Sequence, residues 1–286
     1  ILGIDPAENL AKGANKKGIR TECAFFTERF AEHVQQKYGQ ASVITATNVI
    51  AHINDLHDVT RGVATLLADE GVFIIEAPYL ADLLERNEFD TIYHEHLSYF
   101  SVYPLQQLFK QHCLRIIDVQ KKEIHGGTIR IFVTKMSSSH TVHTRVEKFL
   151  IEEKARGLRE LASYDTFADS VKTVRKDLIT FMRRIKKEGK TIAGYGAAAK
   201  GNVLLNYCDI DTILLAFIVD SISYKQGKYT PGTHIPIFSE DKLLKRMPDY
   251  TLILAWNFAD EIILKNKEYA ERGGRFVIPV PYLQIR

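Results

Sequence analysis

Residues 42–76 read SVITATNVIAHINDLHDVTRGVATLLADEGVFIIE, and this stretch decides the fold. The β-branched run at 42–48 predicts a strand, the apolar spacing of 56–67 a helix, and Gly71 leads into a second strand at 72–76 that Pro78 ends. Upstream, residues 1–4 read as a strand ending at Asp5, 8–17 as a helix stopped by Gly18, 21–26 as a strand and 30–38 as a helix. Strands alternating with helices at this rhythm imply parallel pairing through right-handed crossovers. Downstream, 105–111 suits a helix, and 116–120 with 128–134 suit an antiparallel hairpin at the sheet edge.

From about residue 144 the period becomes helical. Phe167, Val171, Val174, Leu178, Phe181 and Ile185 recur three or four apart, with Lys and Arg opposite, as in a packed connecting helix that Gly189 ends. A second α/β unit follows: TIAGYGAAAKGN enters a Gly-rich turn from a strand, and LLAFIVD, TLILAW and RFVIPVP supply three further strands. The expected division is 1–139, an α/β domain whose N-terminal part is missing; 140–189, a helical connector; and 190–286, a second α/β domain.

The whole chain bounds the function classes. Its 286 residues suffice for two buried cores. A net charge of +3, with basic residues scattered, gives nucleic acid no stripe to follow. No apolar run is long enough to span a bilayer; the best, 213–219, has the length of a buried strand. Cys23, Cys113 and Cys208 lie far apart without metal-ligand spacing, which suggests three buried thiols and a cytoplasmic setting. The opening ILGIDPAE reads as a strand already under way, so an upstream segment is expected.

Several residues could carry chemistry. Asp5, at a strand end, suits a ribose diol, and it suits a helix N-cap equally. His52 follows a strand on the carboxyl edge, where α/β sheets bind ligands; a lone His there is commonly a helix-start residue. The stretch DTIYHEHLSYFS, 90–101, gathers Tyr93, His94, Glu95, His96 and Tyr99 on that edge. Its histidines are too close for HExxH, so acid–base work fits better than a metal, with a solvated loop as the plain alternative. EIHGGTIRIF adds His125 and Arg130 beside two glycines, a ligand contact or a hairpin turn. In GYGAAAKGN, Gly196 and Lys200 open a helix and Asp220 ends the next strand, a pattern for a nucleotide or for close strand–helix packing. Tyr224 and Lys228 have the YxxxK spacing, but in a Gly-containing turn. Trp256 ends a strand and could stack on a base or fill a core.

Together, GIDPAENL, ATNVIAHINDL, FDTIYHEHLSYFS, EIHGGTIRIF, GYGAAAKGNVLLNYC and YKQGKYTPGTHIPI resemble the S-adenosyl-L-methionine-dependent C-methyltransferases of nucleotide-linked 4-keto-deoxysugars, across nearly the whole chain. The resemblance implies a class I methyltransferase Rossmann-like domain, a helical connector and a second Rossmann-like α/β domain. It further implies methylation of carbon 3 through an enolate, with His96 as general base. Tyr93 and Glu95 would position substrate or stabilise the enolate, and His52 would be a further active-site histidine. Asp5, Phe26 and Asn48 would hold the cofactor, while His125, Arg130, Gly196, Lys200 and Asp220 would meet the nucleoside-diphosphate sugar. The family's zinc-binding lobe and glycine-rich cofactor loop belong upstream of Ile1, so no metal is expected within these residues. Rival readings are a nicotinamide-dependent nucleotide-sugar oxidoreductase or epimerase, and a non-catalytic nucleotide-sugar binding module.

Overall fold

The computed structural model describes residues 1–122 and 127–286. The chain divides into two units, Ile1–Leu80 with Leu97–Arg156, and Ala81–His96 with Gly157–Arg286. This partition differs from the linear division expected from sequence, because residues 81–96 group with the C-terminal part of the chain.

In the first unit β1 (Gly3–Ile4) leads to α1 (Glu8–Lys16), β2 (Thr21–Glu22), α2 (Glu28–Tyr38), β3 (Ala41–Thr47), α3 (Leu56–Leu66) and β4 (Leu67–Pro78). The short α4 (Leu80–Glu85) follows, then α5 (Val102–Gln111), β5 (Leu114–Lys122), β6 (Thr128–Lys135) and α6 (Thr144–Ala155). Helix α2 begins before residue 30 because the Thr27 hydroxyl caps the Phe30 N–H at 3.1 Å. Asp55 caps α3 through the Asp58 N–H at 2.9 Å. The expected strand at 21–26 shrinks to two residues, as long as its parallel partner β1.

β3 and β4 pair in parallel, and the order β3-β4-β6-β5 puts the two arms of the hairpin in different settings. Of the two arms β5 lies at the edge, and β6 runs antiparallel between β4 and β5. Burial explains the choice. β6 hides Ile129, Ile131 and Val133 on one face and Thr128 and Thr134 on the other, whereas β5 carries Arg115, Asp118, Lys121 and Lys122, charges that suit an edge. On the far side, β1 and β2 form a sheet of their own, and a 690 Å³ cavity lined by Leu2, Ile4, Val43, Ile44 and Phe73 borders β3.

In the second unit α7 (Leu161–Lys187) buries Val171, Val174, Leu178, Phe181 and Ile185, the apolar stripe read from the sequence. Then come β7 (Ile192–Tyr195), α8 (Ala199–Tyr207), β8 (Ile218–Val219), β9 (Ile237–Phe238), α9 (Asp241–Arg246) and β10 (Tyr250–Ile253). The chain ends with α10 (Ala259–Lys265), α11 (Lys267–Glu271), β11 (Arg275–Ile278) and β12 (Gln284–Ile285). The sheet order is β12-β11-β10-β7-β8-β9, parallel except at β12. Residues 213–215 stay outside it, with Ile213 70% exposed and its N–H held by Asp211 in a turn, while the Ala216 N–H and the Phe217 carbonyl bond to β7. β9 and β12, two residues each, are too short for any periodic signal.

Two cysteines depart from expectation. Cys23 and Cys113 are exposed, Cys113 because it sits in a turn at φ 56°; Cys208 alone is buried. Among the described residues no helix is long and apolar enough to cross a membrane.

Candidate active site

The first unit gathers its expected residues along the carboxyl ends of its strands. Asp5 follows β1, and its Oδ1 accepts from the Ala7 N–H at 2.8 Å, so one oxygen closes the turn before α1, whose N-cap is Ala7, while the other stays available. Phe26 is half-buried and lines the cavity beside β3. Asn48 ends β3 at φ 53° and donates its N–H to the Glu76 carbonyl at 2.9 Å. His52 is exposed in the 3₁₀ turn Ile50–His52, whose Ala51 carbonyl accepts from Leu97 N–H at 2.8 Å. Arg130, opposite Glu76 across β6 and β4, is ion-paired with it through Nε and Nη2. Glu76 escaped the sequence reading, because only the antiparallel register sets it against Arg130. His125 lies outside the described residues.

The second unit brings Tyr93 and His96 together. Their ring centroids are 4.4 Å apart at 30°, and the Tyr93 hydroxyl stands 3.4 Å from His96 Nε2. His96 Nδ1 lies 2.9 Å from the Thr91 carbonyl. A carbonyl can only accept, so in the neutral ring Nδ1 carries the hydrogen and Nε2 keeps its lone pair. Burial, with the Glu95 and Asp90 carboxylates, holds the Tyr93 phenol above its ordinary pKa and keeps it a donor. Glu95 is exposed.

The Gly-rich turn is tightly built. Gly196 adopts φ 89°, and a Cβ on Gly194 or Gly201 would meet Ile218 or Leu254 at 2.8 Å, so these glycines serve close strand–helix packing. Asp220 is buried, its Oδ2 accepting from Ala197 N–H at 2.7 Å and its Oδ1 from Ile222 N–H at 2.8 Å. Lys225 approaches the same carboxylate at 3.3 Å, so Asp220 is engaged within the chain. Lys200 points over the Trp256 ring, 4.3 Å from its centroid. Burial draws its pKa down, against the pull of Asp90 and Glu88. The YxxxK pair is a surface contact, Lys228 standing 3.3 Å over the Tyr224 ring.

Sequence reasoning passed over Glu88 and Asp90. Both are buried, and Glu88 Oε1 and Asp90 Oδ1 have no hydrogen-bond partner. Burial pushes the Glu88 carboxyl up to about 7 and that of Asp90 to about 6. Asp90 Oδ2 accepts the Trp256 indole N–H at 2.6 Å across 166 positions of chain. No local pattern could announce that pairing, because residues 85–91, ERNEFDT, read as a polar, solvated segment. Among the described residues no group of three or more His, Cys, Asp or Glu could hold a metal ion.

Comparison with known proteins adds the family. Residues 123–281 match a family model described as a C-methyltransferase C-terminal domain, and residues 1–119 match one described as a methyltransferase domain. C-methyltransferase NovU from Streptomyces niveus is 43% identical over 281 residues, covering 98% of this chain and 67% of that protein. Among solved structures, an S-adenosylmethionine-dependent methyltransferase from Anabaena variabilis ATCC 29413 covers 47% of this chain and 67% of its own, at 14% identity and a TM-score of 0.38. A similar protein from Listeria monocytogenes covers 47% and 79%, at 16% identity and 0.35. The matching domain models and the 43% identical relative place this chain in the C-methyltransferase family.

Proposed function

We propose that the enzyme methylates carbon 3 of a 4-keto-deoxysugar carried on a nucleoside diphosphate, through an enolate raised by His96. The observation that carries this reading is the bond between His96 Nδ1 and the Thr91 carbonyl, which leaves Nε2 as the basic nitrogen. Nε2 takes the proton from carbon 3 and the C–H electron pair moves toward the 4-keto oxygen. That oxygen gains negative charge and needs a donor already in place. The Tyr93 hydroxyl, kept protonated and 3.4 Å from Nε2, is suited to that task. Glu95 and His52 complete the proposal, as a group that orients the sugar and as a second active-site histidine.

The residues present fit the adenosine half of S-adenosylmethionine. Asp5 spends one carboxylate oxygen on Ala7 and offers the other to a ribose hydroxyl, and the half-buried Phe26 ring suits adenine. Asn48 stands at the neighbouring strand end. When bound, the cofactor supplies the electrophilic methyl group that the enolate carbon takes up. Of the groups proposed for the nucleotide sugar, Lys200 suits a phosphate best, since among the described residues it pairs directly with no carboxylate. Gly196 shapes its turn. A substrate reaching Arg130 or Asp220 must compete with Glu76 or with the backbone donors already there. His125 completes the proposed substrate contacts, and the setting we propose is the cytoplasm.

The test is exchange of the carbon-3 hydrogen of 4-keto sugar nucleotides in deuterium oxide, which requires deprotonation but no methyl donor. We expect His96→Asn to slow exchange roughly 100- to 10,000-fold. Exchange near the wild-type rate would refute the assignment.

A further inference from the structure

The single tryptophan of the chain ties the segment that carries His96 to the C-terminal fold. Trp256 is 8% exposed and Asp90 fully buried, and an indole N–H can only donate, so the 2.6 Å contact fixes Asp90 Oδ2 as acceptor. Asp90 is the middle residue of the 3₁₀ turn Phe89–Thr91. Phe89, on one side of it, sits in the core with its ring 5.2 Å from that of Tyr207 at the end of α8. Thr91, on the other, is held by two bonds to the Glu88 carbonyl, from its hydroxyl at 2.7 Å and its N–H at 3.1 Å. The free carbonyl of Thr91 then meets His96 Nδ1. An unbroken series of short contacts thus runs from Trp256 to the imidazole. A buried carboxylate with one unpartnered oxygen is costly, and such a group calls for an explanation.

We propose that Asp90 is a positioning residue: held by Trp256, it fixes the turn whose Thr91 carbonyl sets the tautomer and orientation of the His96 ring. This rests on the preceding reading of His96 as the base. Lys200, over the opposite partner of the pair, adds a cation to the Trp256 ring and so favours a neighbouring carboxylate. Acting through Thr91, Asp90 touches no reacting atom.

The variants that test this are Asp90→Ala, Asp90→Asn and Trp256→Phe in the full chain, with folding checked by circular dichroism. The readouts are the imidazole ¹⁵N signals of His96 and the turnover number. We expect Asp90→Ala and Trp256→Phe to move His96 from the Nδ1–H form toward a mixture of tautomers. The same two changes should lower kcat roughly 10- to 100-fold with little change in KM. Asp90→Asn keeps an acceptor for the indole and should restore both readouts most of the way. Folded Asp90→Ala or Trp256→Phe protein with an unchanged His96 spectrum and kcat overturns the proposal. A changed spectrum with carbon-3 exchange unaffected, in these variants and in His96→Asn alike, supports the positioning and refutes the base assignment.

Discussion

Glu88 is 4% exposed, and burial raises its carboxyl from 4.5 to about 7, opposed only partly by Lys200 and Arg86. Between those two values the folded chain keeps a proton that the unfolded chain has released. Its contribution to stability is therefore fully present below pH 4.5 and is lost as pH rises through about 7. A shift of that size is worth on the order of 3 kcal/mol. We expect urea unfolding of wild type and Glu88→Gln to show a stability difference that changes by about that amount between pH 4.5 and pH 8, with wild type gaining toward acid. A difference that stays flat with pH would show that Glu88 is not held protonated. Asp90, raised from 3.8 to about 6, works in the same direction over a lower window.

At the scale of elements, the first unit contains a cap supplied by another helix. Ser101 precedes α5 and makes no side-chain cap. Glu153 on α6 does so instead: its Oε1 accepts from the Val102 N–H at 2.6 Å and its Oε2 from the Tyr103 N–H at 3.0 Å. The Tyr79 hydroxyl donates to the same carboxylate at 3.1 Å. Glu153 is 1% exposed, so its charge is compensated by these donors and by the positive end of α5. Glu153→Ala strands the Val102 and Tyr103 N–H groups and should cost about 3 kcal/mol in chemical denaturation, and Glu153→Gln less, because its amide keeps one of the two acceptor oxygens. A loss below about 0.5 kcal/mol for the alanine variant would mean that water caps α5 adequately. The sequence showed α5 and α6 as helices but not the link, which joins positions 50 apart. Similarly, the GxG turn was legible as a glycine-rich strand–helix junction. That Gly194 and Gly201 are needed for Ile218 and Leu254 to pack emerged only once β8 and β10 lay alongside β7.

Across the whole molecule the cysteines offer a direct probe of the second unit. Cys23 and Cys113 are exposed, whereas Cys208 is 1% exposed with its thiol pushed up to about 12 by burial. We expect a chromogenic disulfide reagent to titrate two thiols quickly in the native protein and the third only at the rate at which the second unit opens. Three thiols reacting at one rate would contradict the buried setting of Cys208. The sequence by itself determined the alternation of strands and helices, the apolar stripe of α7 and the second α/β unit. Each rests on spacing between near neighbours, and hydrophobic burial enforces such spacing wherever the chain folds. It also marked Tyr93, His96, Asp5 and Lys200 by residue type and position. Tertiary structure alone decided that β6 lies inside the sheet, that Arg130 pairs with Glu76, and that residues 81–96 group with the C-terminal part. It alone also joined Asp90 to Trp256. The physical reason is common to all four: each joins groups far apart in sequence. Its energy comes from the partner and not from any local propensity, so nothing in the neighbouring residues records it.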